Sequence, residues 1–171
     1  MKTLVRVVLA ALVLVAGCGY HFEGTVNTLP RDIRRIAIPT VENATIETRL
    51  TSALTNELVN QFTISKAVRV TTEDQADAVL RVRVLSVRVE GAVLSVSGTS
   101  SKSRRIIVVA DGSLARKADG QIIWRKQGLV STRTFDILGG QSGQDANLLA
   151  SLTWVAKDLA EKIHNSTFEN F

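Results

Sequence analysis

Between Leu80 and Val89 the chain alternates apolar and polar residues, and the phase of that alternation changes once. Leu80, Val82 and Val84 alternate with Arg81 and Arg83, after which Leu85, Val87 and Val89 alternate with Ser86 and Arg88. A period of two describes a strand with one dry face and one wet face. A one-residue slip would turn the whole apolar set to solvent, so the pattern predicts a β-bulge near Val84-Leu85. Arginines at alternate positions leave the second face wet, or offer it to a partner.

The strands continue downstream. Ser97-Gly98 marks a turn, and Arg104 to Ala115 reads as the next strand, centred on Ile106-Ile107-Val108-Val109. Asp119-Gly120 separates it from a third run, Ile122-Ile123-Trp124 onward to Phe135. Asp-Gly between two strand-like runs is a strong hairpin signal, because glycine readily takes the positive φ that tight hairpin turns need.

Helices flank this block. Ile46, Leu50, Ala53, Leu54, Leu58 and Phe62 recur at spacings of three and four, which predicts a helix from about Thr45 to Gln61, with Asn43 or Thr45 able to cap it. Short strands at Ile33 to Ile38 and Ala67 to Thr71 bracket it, the first closed by Pro39. A strand-helix-strand order with parallel strands requires a crossover. Near the C-terminus Leu148, Leu152, Val155, Leu159 and Ile163 form one helical stripe, with Asp158 and Lys162 an (i, i+4) pair expected on its outer side. The preceding Gly139-Gly140-Gln141-Ser142-Gly143-Gln144 reads as a loop. It lacks the Lys-Ser/Thr ending of a P-loop and the spacing of a dinucleotide fingerprint.

These elements predict an α/β chain of the α+β two-layer type, with two amphipathic helices packed on one face of a four- or five-stranded mixed sheet. The other face is then uncovered.

The N-terminus carries an address. Lys2 and Arg6 precede an unbroken apolar run from Val7 to Ala16, too short for a bilayer core of roughly 30 Å, which needs about 20 apolar residues. Val15-Ala16-Gly17-Cys18 resembles the bacterial lipobox, in which cleavage precedes a cysteine whose thiol carries diacylglycerol. That resemblance divides the chain into a lipoprotein signal peptide (1–17), a lipidated linker (18–30) and a single domain (31–171). Gly19 lacks the aspartate common in lipoproteins retained at the inner membrane, which favours the outer membrane. Cys18 is the sole cysteine, so no intramolecular disulfide and no Cys-based zinc site can form.

Motifs for catalysis are missing. His21 and His164 lie at opposite ends of the chain, and no Ser-His-Asp set, paired-carboxylate motif, metal-binding motif or cofactor motif stands out. Charge distribution says more. From Ala78 to Arg133 there are eleven basic residues against three acids, a net of +8, whereas Cys18 to Asp77 carries −2 and the remainder after Arg133 carries −3. The basic charge belongs to the sheet. It suits a polyanion, and an exported protein whose strands lack interleaved exposed aromatics does not suit nucleic acid. In a Gram-negative envelope the abundant polyanion is lipopolysaccharide, whose phosphates match Arg and Lys donors. Solubilising an uncovered face would need the same residues.

Several motifs point to one family. Cys18-Gly19-Tyr20-His21-Phe22, then Ile36-Ala37-Ile38-Pro39 with Glu42-Asn43 and Thr45, then Ala76-Asp77-Ala78-Val79-Leu80 resemble the lipopolysaccharide-assembly lipoprotein family LptE. The resemblance implies a non-enzymatic, lipid-anchored protein on the periplasmic side of the outer membrane. It would plug and help assemble the LptD β-barrel translocon and bind lipopolysaccharide for delivery to the outer leaflet. An outer-membrane lipoprotein regulating a periplasmic cell-wall synthase is the alternative. Charge clustering near the Gly98 hairpin nominates Lys102, Arg104 and Arg105 as lipopolysaccharide contacts, with Arg133 on the last strand. Adjacent residues in a strand face opposite ways, so Arg104 and Arg105 cannot share a face.

Overall fold

The chain runs β1 (Arg35–Ala37), β2 (Glu42–Asn43), α1 (Arg49–Ser65), β3 (Arg69–Thr71), a short 3-10 turn (Glu73–Gln75), β4 (Ala78–Val96), β5 (Thr99–Arg116), β6 (Ile122–Asp136) and α2 (Gly140–Glu169). This computed structural model describes residues 29–96, 99–137 and 140–169. The leader, Cys18 and the turn expected at Ser97-Gly98 lie outside the described residues.

The strands form one mixed sheet in the order β3-β1-β4-β5-β6, with the two-residue β2 added alongside β4. β1 is parallel to both β3 and β4, so β1-α1-β3 is the crossover that the strand-helix-strand order predicted. β4, β5 and β6 form an antiparallel meander. Its Asp119-Gly120 turn is as read from the sequence. Gly120 adopts a φ of 72°, and Gln121 O accepts the Arg116 amide at 2.8 Å.

The predicted bulge is present. Val84 pairs with Ala110 and Ser86 with Val109, leaving Leu85 as the extra residue. Because one residue is absorbed there, Val87 and Val89 pair with Val108 and Ile106 and keep the face of Leu80, Val82 and Val84. A second irregularity in β6 sets Gly128, at φ 66°, beside Asp111, whose Oδ1 accepts its amide at 2.8 Å.

Both helices cover this one face. Leu50, Leu54, Leu58 and Phe62 of α1 and Leu152, Val155, Leu159 and Ile163 of α2 are essentially fully buried, in one core with Ile36 of β1, Leu80, Val82 and Val84 of β4 and Ile106, Val108 and Leu114 of β5. Where the helices meet, His164 packs between Phe62 and Phe168, with ring centroids 4.9 and 4.8 Å away. Trp124 lies over Gly112, where a Cβ would come within 2.8 Å of the indole.

Three local expectations are corrected. α1 starts at Arg49, four residues late, because Asn43 holds the approach as a turn instead of capping the helix. Asn43 Oδ1 accepts the Thr45 amide at 2.9 Å and its Nδ2 donates to Glu47 O at 2.9 Å, while Ile46 is left fully exposed. The residues from Gly140 to Gln144 are helical, not loop. Asn147 Nδ2 donates to Asp136 O at 2.9 Å and ties this first part of α2 to the end of β6, while the rest of the long helix packs on the sheet. The Asp158–Lys162 pair, 2.7 Å apart, faces β6 and not solvent alone. Asp158 accepts a hydrogen bond from buried Ser131, and Lys162 Nζ donates to Val130 O at 2.9 Å.

Candidate functional site: the open face of the sheet

Cross-strand register determines which side chains share the face away from the helices. Arg81, Ser113 and Arg125 form one row, Arg83 faces Asp111, and Ser86, Val109 and Val130 form the next. Arg88, Ile107 and Thr132 follow, then Glu90, Arg105 and Thr134. The result is a shallow apolar centre of Ile107, Val109 and Val130 flanked by five exposed arginines: Arg81, Arg83, Arg88, Arg105 and Arg125.

Few acids neutralise this face. Arg83 Nε lies 3.9 Å from Glu42 Oε2, a loose contact between two exposed side chains that contributes little. Asp111 is occupied by the Gly128 amide. Among the described residues Arg81, Arg88, Arg105 and Arg125 have no acidic partner at salt-bridge distance. Arg81, Arg83 and Arg125, with Glu42 and Asp111, also line a hollow of about 400 Å³. Planar guanidinium groups with free donors, held on rigid strands, fit the oxygens of phosphate or carboxylate groups.

The sequence-nominated residues divide between the two sides. Arg105 lies on the open face between Glu90 and Thr134, and Arg104 pairs with Gly91 and Phe135 on the other. Arg133 pairs with Ile106, so it too lies on the helix side, with its guanidinium 4.8 Å from the Trp154 ring centroid of α2. Lys102 occupies the β5 position opposite Val93; its side chain is not among the described ones. Register therefore brings Arg104 and Arg133 to one face and Arg105 to the other.

Not all of the basic charge in this segment is available to a ligand. Arg116 Nε donates to Asp32 Oδ2 at 2.9 Å and its Nη1 to Asp119 Oδ2 at 3.2 Å. Lys117 Nζ donates to the carbonyl oxygens of Glu73 and Asp74, each at 2.7 Å. Nearby, Asp77 accepts Arg35 Nη2 at 2.8 Å and the amides of Arg35 and Arg34 at 2.8 and 3.1 Å. These bonds, the Arg35 guanidinium first, hold the Asp77 carboxyl down at about 2. Asp77 thus clamps β1 to the start of β4. This role is not legible in Ala76-Asp77-Ala78, because an acid just before a strand gives no sign of which amides it will reach.

A family model described as LptE, lipopolysaccharide-assembly, matches residues 33–167, the span holding every strand and α1. The chain belongs to the LptE family. That LptE match covers the open face and the Asp77 clamp together. No curated protein matches the chain. Among solved structures the fold is similar to the PelC dodecamer from Paraburkholderia phytofirmans, at 19% identity and a TM-score of 0.52, covering 82% of this chain and 92% of that one. It is also similar to protein XCC0632 from Xanthomonas campestris, at 13% identity and a TM-score of 0.52, covering 81% and 88%. At these identities the likeness concerns fold alone.

Among the described residues no group of three or more His, Cys, Asp or Glu side chains converges to hold a metal, and no helix is long and apolar enough to cross a membrane.

Proposed function

We propose that this LptE-family chain is a non-enzymatic outer-membrane lipoprotein, anchored through Cys18 on the periplasmic side. In this reading it plugs and helps assemble an LptD-type β-barrel and binds lipopolysaccharide on its way to the outer leaflet. The observation that carries the reading is the uncovered sheet face, with five exposed arginines on three rigid strands and few acids among them. A barrel lumen is polar and water-filled, so a plug needs a surface that stays wet while its core stays dry. This sheet has one of each. The lipopolysaccharide phosphates are assigned to the far end of the meander, where Lys102, Arg104 and Arg105 fall within four residues of β5 and Arg133, opposite Ile106, lies two positions along β6 from Phe135, the partner of Arg104.

The test is a binding titration of the purified mature protein with lipopolysaccharide. The triple variant Lys102→Gln/Arg104→Gln/Arg105→Gln should lose about tenfold or more in affinity, at roughly 1.5 kcal/mol or more for charge-assisted bonds, while its urea midpoint stays with the parent. Unchanged affinity removes the site. Gentle detergent co-purification tests the partner: a stable β-barrel complex is expected, and capture of a periplasmic synthase domain in its place would transfer the chain to the cell-wall alternative.

A further inference from the structure

The opposite end of the sheet carries a second cationic surface. A groove of about 1060 Å³ opens between the Leu29–Arg35 segment, the end of α1 and β3, and Arg31, Arg34, Arg35, Lys66 and Arg69 line it. Residues 18–77 contain only six basic side chains, and five of them meet here although that segment is net acidic. The two acids in the lining are already engaged, Asp77 by Arg35 and Asp32 by Arg116. Arg31, Arg34, Lys66 and Arg69 are exposed and, among the described residues, lack an acidic partner. Ile64, next to the lining residue Thr63 near the end of α1, is 64% exposed. Exposed cations clustered without acidic partners are the composition of a surface that meets anionic headgroups.

We propose that this groove is the docking surface through which the domain rests on an anionic lipid bilayer. The inference relies on the lipid-anchor reading of Cys18, and chain length supports it. Leu29, where the described structure begins, lines the groove itself, and the residues from Cys18 to Leu29 reach at most about 40 Å even when fully extended. An acylated Cys18 would therefore hold this end of the domain near the headgroups. Acyl chains plus a polybasic patch make the two-signal arrangement that turns marginal membrane binding into stable anchoring. Bridging lipid phosphates across these guanidinium and ammonium groups would hold the groove end of the sheet at the leaflet surface.

The experiment uses the mature chain with Cys18→Ser, so that no acyl chain contributes, and measures its partition onto sedimented vesicles. Vesicles of phosphatidylethanolamine and phosphatidylglycerol should bind it, and vesicles of phosphatidylcholine alone should not. Arg31→Gln/Arg34→Gln/Lys66→Gln/Arg69→Gln should lower the partition coefficient about tenfold or more. The two-charge control Lys126→Gln/Lys157→Gln, outside the groove lining, should stay within about twofold of the parent. If the quadruple groove variant fails to fold, Lys66→Gln/Arg69→Gln gives a smaller loss in the same direction.

Equal partition of the groove variant and the parent overturns the proposal, as does a loss in the Lys126→Gln/Lys157→Gln control equal to that of Lys66→Gln/Arg69→Gln. Potassium phosphate and potassium chloride at equal ionic strength should weaken binding equally; a loss confined to phosphate would make the groove a discrete phosphate site and not a lipid surface. Palmitate labelling of the wild-type chain in cells reads the anchor separately, so an unlabelled chain would remove the anchor and leave the vesicle result standing.

Discussion

The two faces of this sheet are built from the same strands and answer to different solvents. On the helix side Leu80, Val82, Val84, Ile106, Val108, Ala110 and Leu114 are each at most 4% exposed. One residue along the backbone in most cases, Arg81, Arg83, Arg105 and their neighbours stand in water. The difference shows how a chain with only 5% aromatic residues makes a stable layer and a reactive one together. Alternation separates the two sets, the Leu85 bulge keeps them separate along a 19-residue strand, and two helices desolvate one set only.

The comparison is strained most at the buried side. Phe62 is completely buried and touches both His164 and Phe168, with the Phe168 centroid 5.8 Å away, so it joins α1 to α2 above the sheet. Phe62→Ala should cost about 3–5 kcal/mol, read as a lower urea midpoint at unchanged slope. A loss below about 1 kcal/mol would mean that the dry face is not the source of stability.

How far this division could be read from sequence depends on the distance over which each feature is encoded. The bulge and the Asp119-Gly120 hairpin are local, written in a phase slip and a turn dipeptide, and both stand as read. Helical periodicity places the start of α1 too early because the side-chain amide of Asn43 is engaged by Thr45, Glu47 and Thr51, competition that periodicity does not register. Gly140 to Gln144 looked like a loop because glycine disfavours helix by about 1 kcal/mol per residue, a cost that the packing of the rest of α2 offsets. The open arginine face was visible as alternation. The groove was not, since residues 31–35 and 66–69 meet only once β1 and β3 pair, and averaging charge over their segment hides them.

A smaller effect tests the clamp between the two regions. Asp77→Ala removes the acceptor for two backbone amides and the Arg35 guanidinium and should cost about 1–3 kcal/mol. Because the folded-state pKa of Asp77 is depressed to about 2, its contribution is fully present above the ordinary carboxyl value of 3.8 and is lost as pH falls from there toward 2. Urea midpoints of the parent should therefore drop across that window more steeply than those of Asp77→Asn. Parallel curves would show that Asp77 does not hold β1 to β4.

The smallest effect comes from the bulge itself, and it distinguishes two accounts of why the faces stay separate. Leu85 is 42% exposed and has no cross-strand partner, standing between the Val84–Ala110 and Ser86–Val109 pairs. Deleting it makes those pairs consecutive and restores unbroken alternation, with Val87 still on the helix side and Arg88 still in water. The deletion should therefore fold with a loss of about 1 kcal/mol or less, measured by urea denaturation and far-UV circular dichroism. Deleting Val82 is chemically similar and should be far worse, because no irregularity lies at that point to absorb it and Arg83 would enter the position beneath the helices. If the two deletions proved equally damaging, the bulge would be needed for the bend it gives β4. If only the Val82 deletion fails, face assignment alone governs this strand, and the extra residue is free to serve the surface that carries the arginines.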